Sequence, residues 1–230
     1  MADLSKGAAA LFAEIANATI GSTGSFTVAL AGGSTPRSLY AILASDKYRE
    51  AIDWLNVKFF LGDERNVPSD SLDSNYRMVA ETLLRPLGID DRNVFRWNTS
   101  SGDVHRTAEL YETDLRPYIP LDLVLLGLGV DAHTASLFPK SPILGETEKL
   151  AVANWVEKLS DDRLTMTFPV INGAASVMVL AAGTDKAKAV AGVLEGEFRP
   201  DEFPAQLIKP TSGDLYWLLD ESAANLLEQR

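Results

Sequence analysis

A chain of 230 residues, 46% hydrophobic and 23% charged, is long enough to bury a sizeable core and has the make-up of an ordinary globular protein. Its net charge of -11 excludes a broad nucleic-acid surface, which needs a basic stripe, and the lack of cysteine excludes a disulfide framework, a thiolate metal site and a cysteine nucleophile. Every apolar run is too short to span a membrane, and the opening stretch carries Asp3 and no basic leader, so a cytoplasmic location is expected.

Leu4, Ala8, Leu11, Phe12, Ile15 and Ala16 recur at helical spacing and predict a helix over 4–20, closed by Gly21 to Gly24. Residues 26–31 read as a short strand that runs into Gly32-Gly33-Ser34-Thr35-Pro36 and a helix over 37–43, with Ser34 or Thr35 as its cap. A glycine-rich turn entering a helix is a ready anion site, although the same residues also suit a plain strand-to-helix turn. It is not a Walker A loop, because the second glycine and the Lys-Ser/Thr pair are missing.

Residues 57–61, VKFFL, read as the second strand, with Gly62-Asp63-Glu64-Arg65 at its end. Such a charged run usually means a solvated loop, but its place at a strand end raises its interest. A loop and a helix over about 75–84 follow, capped by Asp73 or Ser74 and ended by Pro86-Leu87-Gly88. Residues 94–97 suggest a strand and 103–115 a surface helix, in which His105 reads as an exposed histidine without a role.

The central stretch is LDLVLLGLGVDAHTASLFP, residues 121–139. Residues 122–126 have the continuous apolar character of a strand buried on both faces, and Gly127 and Gly129 then free the backbone ahead of Asp131, His133, Thr134 and Ser136. Strands are expected at 151–156, at 164–168 with Arg163 at its entrance, and at 176–182. Gly183-Thr184-Asp185-Lys186 turns from the last of these into a helix to about 194, and a strand at 215–219 and a short helix at 221–227 finish the chain. The repeated strand, polar turn and helix imply an α/β fold: one domain over 1–230 with a Rossmann-like, open, mainly parallel sheet covered by helices on both faces.

If these strands are parallel neighbours, their four turns gather Ser34, Thr35, Asp63, Arg65, Asp131, His133 and Lys186 around one cleft. Arg65 and Lys186, joined by Arg163, suit a phosphate. Charge-assisted hydrogen bonds are worth about 1.5–3 kcal/mol each, and salt screens the distant acidic field over roughly 8 Å. His133 is the candidate general base, with Asp131 to orient it or to stabilise its cation. Gly127 to Ala132 also fits a loose dinucleotide pattern, but Pro139 and Pro142 interrupt the helix that should follow. Two distant histidines without cysteine build no metal site, and no G-x-S-x-G elbow supports a serine triad.

Taken together, GGSTP at 32–36, GDERNVP at 62–68 with SNYR at 74–77, and GLGVDAHTASLFP at 127–139 resemble the 6-phosphogluconolactonase family, with support from RLTMTFPVIN and AAGTDKAKAV. The resemblance covers nearly the whole chain. It implies hydrolysis of 6-phospho-D-glucono-1,5-lactone in the pentose phosphate pathway, with no cofactor and no metal. It also implies a small sugar-phosphate lactone as partner; charge and short apolar runs argue against nucleic acid and membrane, and a monomer or weak homo-oligomer is expected. By the same resemblance His133 activates water, aided by Asp131 and Arg65, while Gly32, Gly33, Ser34, Thr35, Asp63, Arg163 and Lys186 bind substrate. Two alternatives are a glucosamine-6-phosphate-type isomerase or deaminase, which looks to need an acid soon after the histidine, and a non-catalytic sugar-phosphate sensor. Family members usually carry glycine where this chain has Ala132, and a negative φ is expected there.

Overall fold

Six parallel strands run through the middle of the computed structural model, which describes residues 2–228. In chain order the elements are α1 (Ala2–Thr23), β1 (Phe26–Leu30), α2 (Ser34–Leu43), α3 (Asp46–Ala51), β2 (Val57–Leu61) and β3 (Asp63–Arg65). A continuous helical rod follows, made of α4 (Asn75–Val79), a π-helical turn at Ala80–Leu84 and α5 (Arg85–Leu87), ended by Gly88 in the left-handed region. Then come β4 (Val94–Phe95), α6 (Val104–Leu115), β5 (Leu123–Gly127), β6 (Ala151–Val156), β7 (Asp161–Met166), α7 (Phe168–Gly173), β8 (Ser176–Ala181), α8 (Ala187–Leu194) and β9 (Asp214–Leu219).

The large sheet has the order β4-β2-β1-β5-β8-β9, every pair parallel. All residues of β1 and β8 are buried, so both faces of the sheet are covered, as the unbroken apolar runs of these strands require. Each large aliphatic side chain buried there contributes about 1.5–3 kcal/mol, which makes these central strands the rigid part of the molecule. At one end Phe12, Trp54 and Phe59 stack at 6.0 and 6.2 Å, with Phe26 edge-on to Phe12 at 5.6 Å.

A second, smaller sheet has the antiparallel order β3-β7-β6. Gly62 is the joint between the two sheets, since its amide donates to Leu30 of β1 at 2.9 Å and its carbonyl accepts from Met166 at 2.8 Å. Residues 63–65, expected as a loop, are therefore a strand, drawn into pairing by β7 despite having no apolar residue. The strand expected at 164–168 instead covers Asp161–Met166, and Phe168 opens α7 with a proline in its first turn. Residues 221–227 form turns rather than the expected helix. Among the described residues no helix is long and apolar enough to cross a membrane.

Candidate active site

The strands β2, β1, β5 and β8 are adjacent and parallel, so the turns that follow them leave the sheet along one edge. The chain winds in opposite directions from β1 and from β5, and this reversal is where open α/β sheets leave a crevice. Here the crevice is a cleft of about 220 Å3, lined in part by Gly32, Gly33, Ser34, Thr35, Asp63, Arg65, His133 and Lys186.

The GGSTP turn enters α2 one step earlier than expected. Gly33, at φ 100°, is the cap, and Ser34, Thr35 and Pro36 form the first helical turn without a side-chain cap. Glycine takes that left-handed φ without strain, which is why neither Ser34 nor Thr35 caps the helix. The first-turn amides of Ser34 and Thr35 have no intrahelical acceptor and lie along the cleft. Behind the turn, the buried Tyr40 hydroxyl donates to the Ala31 carbonyl at 2.8 Å and accepts from the Ala31 amide at 2.9 Å, fixing the end of β1.

The end of β2 is held in a similar way. The Leu61 carbonyl accepts from Trp97 Nε1 at 2.9 Å and from the Tyr111 hydroxyl at 2.7 Å, and the two rings stack at 3.7 Å. Asp63 emerges from this anchored point. Its buried carboxylate accepts from the Ser136 hydroxyl at 2.8 Å and from Asn75 Nδ2 at 3.2 Å. Burial raises its pKa, against the opposing pull of the Ser136 hydrogen bond and of the Arg65, His133 and Arg163 charges. Glu64 points elsewhere and caps α4, accepting from the amides of Asn75 at 2.7 Å and Tyr76 at 2.8 Å and from the Ser74 hydroxyl at 3.0 Å. Asn75 fills the space beside Gly32: a Cβ on Gly32 would lie 2.0 Å from its side-chain oxygen.

After β5 the backbone closes a tight turn, with the Gly129 amide donating to the His133 carbonyl at 2.8 Å and the Ala132 amide to the Gly129 carbonyl at 3.0 Å. The turn needs a left-handed residue, and Ala132 supplies it at φ 60°, which corrects the expected negative φ. The conformation costs alanine roughly 1–2 kcal/mol, yet His133 still lines the cleft.

His133 Nδ1 and Asp131 Oδ1 are hydrogen-bonded, and the other oxygen of Asp131 accepts from Lys158 Nζ. Burial, the largest single influence, would raise the Asp131 pKa, but the hydrogen bonds from His133 and Lys158 outweigh it and hold the carboxyl well below its usual range. An ionised Asp131 accepting from Nδ1–H fixes the neutral tautomer and leaves Nε2 as the basic nitrogen. The imidazole stacks on Phe138 at 4.2 Å.

Three cations were expected at this site, and their placements differ. Lys186, on the single turn Thr184–Lys186 after β8, lines the cleft with its side chain mostly covered and 3.5 Å from Asp185. Arg65 also lines the cleft while donating to the Asp73 carbonyl. Arg163 lies opposite Arg65 in the β3–β7 ladder, but its guanidinium is paired with Asp161 and it is not among the residues lining the cleft. Among the described residues no cluster of three or more acids and histidines is placed to hold a metal ion.

Sequence reasoning assigned no role to Lys158, Asn75, Ser136 or Glu64. Asn75 and Glu64 had a readable signal, an acid ahead of a Ser-Asn helix start. Lys158 had none apart from its place between two adjacent strands.

The chain matches the family of glucosamine-6-phosphate isomerases/6-phosphogluconolactonase over residues 1–217. It is 39% identical to a 6-phosphogluconolactonase of Synechocystis over 90% of this chain and 87% of the relative, and 38% identical to one of Nostoc over 87% and 84%. Among solved structures it superimposes on the 6-phosphogluconolactonase of Trypanosoma brucei with a TM-score of 0.89 and 33% identity, covering 99% of this chain and 95% of that one. Motifs, sheet order and whole-length likeness agree, and the chain belongs to the glucosamine-6-phosphate isomerase/6-phosphogluconolactonase family.

Proposed function

We propose that this protein hydrolyses 6-phospho-D-glucono-1,5-lactone to 6-phosphogluconate, with His133 as the base that activates water. The observation that carries the reading is the Asp131–His133 pair, whose Nδ1 is committed to the carboxylate while the imidazole faces a cleft bounded by a helix start and two cations. Water attacks the lactone carbonyl as Nε2 takes its proton, and Arg65 or a loop amide stabilises the oxyanion. The C–O bond to the ring oxygen then breaks, and the imidazolium returns its proton to that oxygen. Lys186 and the amides of Ser34 and Thr35 hold the phosphate, and Asp63 faces sugar hydroxyls. Arg163 acts at one remove, through its field on Asp63.

Among family activities, lactone hydrolysis is favoured over isomerisation or deamination because no acid follows His133 until Glu146. The reading takes residues 1–230 as one functional domain, since the cleft draws on both sheets. It places a monomer or weak homo-oligomer in the cytoplasm, in keeping with a cysteine-free, acidic chain. The test is acid release from freshly made lactone above the spontaneous rate. His133→Ala should lose about 10²–10⁴-fold in rate while still binding 6-phosphogluconate. An unchanged rate, or equal loss of rate and binding, refutes the assignment.

A further inference from the structure

We infer that Lys158 is a positioning residue for the Asp131–His133 pair: the turn between β6 and β7 places its ammonium on the carboxylate oxygen that the imidazole does not use. The inference rests on His133 being the base. Lys158 Nζ occupies one oxygen of Asp131 and His133 Nδ1 the other, so the carboxylate cannot rotate without breaking a contact. Lys158 Nζ also sits 5.1 Å from the centre of the Phe138 ring, and Phe138 stacks on His133, so one ammonium touches both supports of the imidazole.

Asp131, Phe138, Trp155 and Lys158 also line a second cavity of about 860 Å3, to which His133 does not contribute. Lys158 and the carboxylate it holds thus border a hollow wide enough for water. Water in its place would hydrogen-bond Asp131 without holding its orientation.

The lysine charge has a second effect. An unbalanced Asp131 would stabilise the imidazolium more strongly and make His133 harder to deprotonate near neutral pH. The groups facing His133 are Asp131 on its own loop, Asp63 from β3, and Arg65 and Lys186 along the cleft, with Lys158 acting through Asp131. Half of the Lys158 side chain is exposed, so salt screens its charge and the effect is moderate.

The chain has only two histidines, which makes the imidazole titration directly readable by NMR, with His105→Gln assigning the other signal. Lys158→Ala should lower kcat about tenfold, leave KM within about twofold, and raise the His133 titration midpoint by about 0.5 pH unit. Lys158→Arg should restore most of both. An unchanged midpoint with unchanged kcat overturns the inference. So does a rise in KM alone, which would make Lys158 a substrate contact, or a fall in kcat that Arg does not rescue and that leaves the midpoint in place. Absence of lactonase activity in the parent protein would overturn the functional reading instead, and the His133 midpoint in Lys158→Ala would then decide the role of the lysine.

Discussion

Gly129→Ala should silence the site while sparing the fold. A Cβ at Gly129 would lie 2.0 Å from His133 Nδ1, 2.2 Å from its neighbouring carbon and 2.8 Å from Asp131 Oδ1, whereas ordinary contact starts near 3.4 Å. The ring must retreat by more than an ångström or give up its bond to Asp131. Misplacement of that size costs on the order of 10²-fold, and loss of the base altogether about 10²–10⁴-fold, so kcat should fall at least 10²-fold. Stability should change much less. Gly129 is not in the left-handed region, so alanine suits its backbone, and the crowded atoms end side chains that are 28% and 25% exposed. The cost should therefore stay within the roughly 1–3 kcal/mol of overpacking, or about 2–12 °C in Tm. The assay pairs initial rates on fresh lactone with thermal unfolding. Gly145→Ala, where an added Cβ meets nothing within 4 Å, is the control. A folded Gly129→Ala protein with the parent kcat would refute the reasoning, because the pair would then tolerate displacement or lack the role assigned to it.

Glu64→Gln keeps shape but trades one accepting oxygen for a donor facing backbone amides already bound to the carboxylate. The buried clash should cost about 1–3 kcal/mol and lower Tm by roughly 2–12 °C, and an unchanged thermal midpoint would show that the cap contributes nothing. Ala132→Gly releases about 1–2 kcal/mol of left-handed strain. It also gives up a fully buried methyl and adds freedom to the unfolded chain, together worth a similar amount. Urea unfolding should therefore be almost unchanged, and a loss above about 2 kcal/mol would show that packing of the methyl, not strain, governs this position.

The legible parts of the molecule were those whose signal is local. β1, β2, β5 and β8 announce themselves as apolar runs ended by glycine, and the cleft follows from the turns after them. The second sheet was not legible as a sheet, because Asp63-Glu64-Arg65 has no strand pattern and pairs only because β7 runs alongside. Asp63 was legible as a cleft residue but its burial was not, Glu64 carried no signal of burial at all, and distant partners such as Ser136 and Asn75 make both tolerable. At 221–227 the composition favours a helix, but the backbone closes only isolated turns, such as Ala224 to Asp220 and Leu227 to Ala224. The left-handed φ of Ala132 was hidden for a related reason: it answers to turn closure by Gly129 and His133, not to the preference of alanine.

Asn75 gives the cleft a property that no single strand end has. Its amide is held by Glu64, its Nδ2 donates to both the carbonyl and the carboxylate of Asp63, and its side chain fills the space that only a glycine at position 32 leaves. One side chain thus wedges the turn at Gly32 against Asp63 opposite, so a shift of either disturbs the other. Ordering a mobile backbone costs about 1–2 kcal/mol per residue, and here that ordering is completed when the protein folds, not when the ligand arrives. For a substrate that opens unaided in water, a cleft assembled in advance shortens the delay between encounter and reaction, the interval in which an enzyme can outrun the solvent.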